Sequence, residues 1–340
     1  MKSLILGIII YAISSVALAG DEQEHLPKHV NAIITQDRTA RDIARVAISE
    51  NGAFSLYHKL MGSEAKPWYN SLFEENKAYH ELRIGEKAKS PSMTYGLAYY
   101  YLLMWRSNNH GSPPNPLLDY TEKKFNAFPH GLYHLKISAA DRTYDKYIKY
   151  LSIAAKLGDP TAEAALGNEY FWEPQRLLLL MWYMNHKIHG DTSDALRDFI
   201  TEGYGGKVWA LMLNKSSRLE YKSAQQGSPS ALFYLAMGRV MLTNKLITRN
   251  YTEIDQYAPY LLRSIRSYII HSKIGTFRKS SEYGYVASTS MMICRSYSKG
   301  GDLRKWLDEL RNESQNRYHA YEYVKLIKKA GGVNEYCRKQ

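Results

Sequence analysis

Cysteine is nearly absent: Cys294 and Cys337 are the only two in 340 residues, too few and too late in the chain for a redox enzyme. None follows the apolar run at the N-terminus, which excludes a lipid-anchored lipoprotein. Beyond that run, no apolar stretch approaches the roughly 20 residues of a membrane-spanning helix. Leu177 to Met184 is too short. Strand signals are scarce and Gly–Pro clusters are short, so helical periodicity dominates and the fold class reads as all-α. Catalytic signatures are missing too: there is no His-Glu-x-x-His, no Gly-x-Ser-x-Gly and no phosphate-cradling Gly-x-x-x-x-Gly-Lys. His186 and His189 lie three apart with no third ligand, and His130 and His134 flank a loop glycine. Both pairs read as surface histidines rather than metal ligands. Glu74-Glu75 reads as a solvated helix face. No metal, no cofactor and no enzymatic activity are expected.

Against these absences stands a helix–turn–helix pattern that occurs twice. Ala154-Ala155-Lys156-Leu157-Gly158-Asp159-Pro160-Thr161-Ala162 continues to Leu166-Gly167. Ser223-Ala224-Gln225-Gln226-Gly227-Ser228-Pro229-Ser230-Ala231 continues to Leu235-Ala236. Gly158 and Gly227 stand where a helix ends in a left-handed conformation that glycine adopts without a Cβ penalty. Asp159 and Ser228 offer side-chain oxygens to the free amides of the next helix, and Pro160 and Pro229 take its first position. The flanking alanines allow two helices to approach closely. Self-similarity of this kind marks a stacked repeat.

These residues resemble the Sel-like repeat family, a relative of the tetratricopeptide repeats. The family pattern, Ala-Ala-x-x-Gly-x-x-x-Ala-x-x-x-Leu-Gly after an upstream aromatic, is met by Ala154, Ala155, Gly158, Ala162, Leu166, Gly167 and Tyr150. In the second copy Ala224, Gly227, Ala231 and Leu235 match, while Ala236 and Leu219 depart from it. Phe171-Trp172-Glu173-Pro174 replaces the family's glycine-rich loop. The resemblance implies a tetratricopeptide-like helical-repeat solenoid with non-repeat helical caps at both ends. The anchoring glycines lie 227 − 158 = 69 residues apart, about two family periods. Gly190-Asp191 is therefore the candidate for a degenerate copy between them, the alternative being an unrelated helical hairpin.

Lys2, the apolar run Leu4 to Ile13 and Ala17-Leu18-Ala19 read as a cleaved signal peptide over residues 1–19, with a retained membrane anchor as the alternative. Export places Cys294 and Cys337 in an oxidising compartment, where an even pair reads as one disulfide. Two buried free thiols are the other reading. The expected organisation is a helical N-terminal region over 20–140, a repeat block over 141–244 and a basic helical region over 245–340.

Acidic residues are outnumbered, 33 Asp+Glu against 45 Lys+Arg, and the net charge is +12. The surplus is concentrated late: from Tyr260 onward there are 16 Lys/Arg and 7 Asp/Glu. The 29 tyrosines are unusually many, and Tyr99-Tyr100-Tyr101 puts aromatics around most of one helix, which implies burial on more than one side. The function expected is therefore that of a periplasmic or secreted interaction module that binds a protein partner. Tyr170, Trp172, Tyr204 and Trp209 are its candidate contacts, and Arg304, Lys305, Lys328 and Lys329 would steer an acidic partner. Exported proteins that look like this family act in host interaction, envelope signalling or immunity against a delivered effector, type VI lipase effectors among them. The alternative is a peripheral protein docking on anionic envelope surface through its basic C-terminal region. Nucleic acid is not an expected partner of an exported chain.

Overall fold

The computed structural model describes residues 27–48, 78–108, 139–173, 204–248, 259–272, 277–316 and 318–338. Among them are thirteen helices and no strand. The first four are α1 (Lys28–Ile48), α2 (Ala78–Lys87), α3 (Pro91–Asn108) and α4 (Ala139–Lys156). Helix α5 spans 160–173. Then follow α6 (Tyr204–Gln225), α7 (Pro229–Thr248), α8 (Pro259–His271), α9 (Phe277–Glu282) and α10 (Val286–Lys299). The last three are α11 (Leu303–Asn316), α12 (Tyr318–Ala330) and α13 (Val333–Arg338). The proposed degenerate turn at Gly190-Asp191 lies outside the described residues, as do His130, His134, His186, His189, Glu74 and Glu75.

The turns carry the organisation. Between α4 and α5, Gly158 adopts φ +89° and its amide donates to the Ala155 carbonyl, while the Asp159 amide reaches back to Ala154. This pair of bonds satisfies helix carbonyls that would otherwise be unpaired. The Asp159 carboxylate then accepts from the Ala162 amide at 2.7 Å and caps α5. Between α6 and α7 the arrangement is the same: Gly227 at φ +88° bonds Ala224, and Ser228 bonds Ser223. The Ser228 hydroxyl accepts from the Ala231 amide at 3.4 Å.

The same two backbone bonds recur at three further places. Lys89 (φ +57°) and Ser90 bond Glu86 and Gly85; Gly284 (φ +77°) and Tyr285 bond Ser281 and Ser280; Gly331 (φ +94°) and Gly332 bond Lys328 and Ile327. The pattern therefore extends on both sides of 141–244. The first three turns fall at equal intervals, 158 − 89 and 227 − 158 both giving 69 residues. Successive turns are also joined directly. Ser223, four residues before Gly227, donates its hydroxyl to the Pro160 carbonyl of the turn before. Ser280, four residues before Gly284, donates to the Pro229 carbonyl at 2.7 Å. One bond, made twice from the same place in the motif, sets the register of three consecutive turns.

Three apolar clusters lie along the chain. The first is tyrosine-rich: Tyr95, Tyr99, Tyr100 and Tyr101 of α3 are all buried together with Tyr144 and Tyr147 of α4. Burial of four rings around one helix explains why α3 has no polar face, as the tyrosine run predicts. Tyr101 stacks on Tyr150 at 5.5 Å between centroids. The second cluster joins α5, α6, α7 and α8 through Ala164, Leu213, Leu232 and Tyr268. The third unites α10 to α13 around Ile293, Trp306, Leu310 and Tyr336. There a disulfide joins Cys294 to Cys337, tying α10 to α13.

Helix α1 packs against α2 and α3 and also reaches the turn between α6 and α7. A methyl group built at Gly96 would stand 2.8 Å from the Ala40 carbonyl, and one at Gly227 would stand 2.7 Å from the Val30 side chain. One helix thus touches α3 near its C-terminal half and the α6–α7 turn near its N-terminus.

Candidate interaction surface

A cavity of about 450 Å³ opens between the charged side of α1 and the turn regions at Thr161, at Pro229-Ser230 and at Tyr283 to Val286. Its α1 wall is built from two acid–base pairs at helical spacing. Arg41 holds Asp37 with two bonds, at 2.9 and 2.8 Å, and Arg45 holds Asp42 at 2.7 Å. The Arg41 guanidinium lies 5.8 Å from the Tyr95 ring centre and 5.5 Å from that of Tyr99. Arg45 also donates to the Tyr99 hydroxyl at 3.4 Å. Burial pushes the Asp37 and Asp42 carboxyls up, and the neighbouring guanidinium groups pull against that shift. Asp159 faces the same seam. Burial pushes it up to about 7; its bond from the Ala162 amide opposes the shift, and the nearby Asp37 charge adds to it. With Arg38 also on this wall, α1 presents three arginines and two aspartates, and Arg41 and Arg45 lie over tyrosine rings, an arrangement that seats the helix.

Of the aromatics read from the sequence as partner contacts, Tyr170 and Trp172 are half-buried on α5. Tyr170 packs against the first cluster with the Lys215 ammonium 5.1 Å from its ring centre. Trp172 packs against the second cluster, and its indole N–H donates to Asn168 at 3.0 Å. Tyr204 and Trp209 belong to the first turns of α6, but their side chains lie outside the described residues. The basic candidates stand on the third cluster's helices, apart from these aromatics. The Arg304 side chain is 93% exposed and 3.8 Å from Asp308, and the Lys305 ammonium lies 4.9 Å from the Trp306 ring centre. Lys328 and Lys329 are exposed at the end of α12.

Sequence reasoning missed a set of buried glutamates. Glu163, one position after the Ala162 contact, is buried and accepts from Lys222 and, at 3.0 Å, from Gln226. The Glu169 carboxylate accepts from the hydroxyls of Tyr144 and Tyr147 at 2.7 and 2.9 Å. Glu220 accepts from the Tyr268 hydroxyl and, at 3.4 Å, from Ser216. Burial pushes the Glu220 carboxyl up to about 8, against the pull of those two hydrogen bonds. Each acid crosses between helices, so these bonds fix how neighbouring helices pack. No local signal marks them, because an isolated helical glutamate reads as solvated.

Among the described residues there is no group of three His, Cys, Asp or Glu placed to hold a metal ion, and no helix is long and apolar enough to cross a membrane. No protein-family model matches this chain, and no curated protein or solved structure matches it.

Proposed function

We propose that this chain is an exported, non-catalytic helical-repeat module, similar to the Sel-like repeats, that binds another protein. The observation that carries this reading is the fivefold recurrence of one turn geometry, with Ser223 and Ser280 joining three of the turns in sequence. Stacked helical pairs of tetratricopeptide type present long continuous surfaces, and those surfaces serve recognition. The Cys294–Cys337 disulfide supports an oxidising location, in keeping with the signal-like N-terminus. Exposed Arg304, Lys305, Lys328 and Lys329 support an acidic partner. A secreted effector, held by this chain as an immunity protein or adaptor, is the partner class the resemblance implies.

Capture from periplasmic extract tests the reading. The chain lacking residues 1–19, immobilised beside an unrelated protein of matched positive charge, is expected to retain one acidic protein in near-stoichiometric amount. Equal retention on both supports would refute a specific partner.

A further inference from the structure

A second cavity, of about 480 Å³, lies on the disulfide-tied C-terminal unit, and its lining includes four cationic side chains and one acidic one. Arg278 of α9, Arg295 and Lys299 of α10, and Lys305 of α11 converge on it around the Gly300-Gly301 loop. All four are exposed residues. The single acidic residue of the lining, Asp302, accepts from the Lys305 amide at 2.9 Å and caps α11, and its charge leaves the lining with a net 4 − 1 = +3. Trp306, only 2% exposed, closes the cavity wall beside Lys305.

The pairing of arginines in this unit is selective. Arg304, Arg311 and Arg338, which do not line the cavity, each lie within 3.8 Å of a carboxylate. Arg278 and Arg295, which do line it, form no ion pair among the described residues, nor do Lys299 and Lys305. Four like charges facing one concavity repel one another and concentrate positive potential there, an arrangement that an anion relieves. The two guanidinium groups supply planar donor forks suited to carboxylates, and the two ammonium groups supply point charges. The cavity is within the size range of ligand sites, large enough for more than one acidic side chain.

We propose that this cavity is the docking point for an acidic segment of the protein partner, receiving two or more Asp or Glu carboxylates. The proposal rests on the protein-binding reading above and locates its charge recognition at Arg278, Arg295 and Lys299 together with Lys305. Charge complementarity selects the occupant. A general electrostatic halo would spread over α12 as well, where Lys325, Lys328 and Lys329 are equally exposed.

Hexaglutamate is the probe, titrated calorimetrically into the full mature chain at low salt. The triple variant Arg278→Glu, Arg295→Glu, Lys299→Glu is compared with Lys325→Glu, Lys328→Glu, Lys329→Glu, which changes the net charge equally. The expected result is at least about a tenfold loss of affinity in the cavity variant and less than about a threefold loss in the α12 variant. Unchanged circular dichroism melting shows that each variant is folded; if the cavity variant melts early, its glutamine counterpart is used, with the same expected order. Equal losses in the two variants overturn the proposal in favour of diffuse charge. Failure of the wild type to bind hexaglutamate, or binding of phosphatidylglycerol vesicles in its place, overturns it as well. The two readings fail separately. A partner captured equally well by the cavity variant refutes the cavity alone, whereas a wild type that binds the peptide but captures no protein refutes the protein-binding reading.

Discussion

Replacing Glu220 by glutamine is expected to raise thermal stability at about pH 8 and to flatten its dependence on pH between about pH 5 and about pH 8. Glu220 is fully buried between the Tyr268 and Ser216 hydroxyls, with Gly167 packed so closely that a methyl there would lie 2.7 Å from its Cγ. Burial raises its carboxyl to about 8, whereas in an unfolded chain a glutamate titrates near about 4.3. In that window the folded protein holds a proton that the unfolded chain has released. The stability this contributes is complete below the lower value and is lost as pH rises through the upper one. Asp159, raised to about 7, acts with the same sign over a narrower range. Glutamine keeps an oxygen for the Tyr268 hydroxyl and has no charge to bury, so the gain at about pH 8 is on the order of 5 kcal/mol. Calorimetric melting of both proteins across this range checks it. Parallel curves for the two would show that Glu220 ionises freely in the fold.

Removing the disulfide, by Cys294→Ser with Cys337→Ser, is expected to destabilise the C-terminal unit by about 4 kcal/mol, the chain-entropy value for a loop of this size. The bridge spans 43 residues and links α10 to the short final helix α13. The cluster beneath it has few fully buried apolar residues, so packing alone supplies little reserve. Hydrogen exchange read by segment checks this. Amides over residues 286–338 should lose protection by roughly a thousandfold, while those of α3 and α4 keep theirs. Unchanged exchange throughout would mean that the third cluster holds without its bridge. Uniform loss would mean that the chain unfolds as one unit.

The two turns at Gly158 and Gly227 were legible because each combines a glycine, a capping oxygen and a proline in three successive positions. The turn at Lys89-Ser90-Pro91 keeps the cap and the proline, but its left-handed residue is a lysine, and sequence gives no warning of that. At Gly284 the glycine survives while Tyr285 and Val286 replace the cap and the proline; at Gly331 the following residues are Gly332 and Val333. In these last turns glycine alone carries the left-handed conformation, a weaker signal than glycine, cap and proline together. The pairing of Cys294 with Cys337 followed from compartment and count. The buried acids did not follow from anything local, because their partners are remote: Tyr268 lies 48 positions from Glu220, and Lys222 lies 59 from Glu163. The cationic cavity was visible as a charge surplus but not as a place, since Arg278 and Arg295 come from different helices.

Association kinetics with the captured partner test the central claim, that a repeat scaffold recognises an acidic protein through its basic C-terminal unit. The rate is measured from about 50 mM to about 500 mM salt for the wild type and for the variant carrying Arg304→Glu, Lys305→Glu, Lys328→Glu and Lys329→Glu. Exposed charges act mainly on encounter and are screened by salt, so wild-type association should slow by at least about tenfold across this range. The variant should start slower, respond less to salt because Arg278, Arg295 and Lys299 alone remain of the cavity cations, and melt at the same temperature as the wild type. Association that is fast in both proteins and indifferent to salt would contradict the claim and move recognition away from this unit.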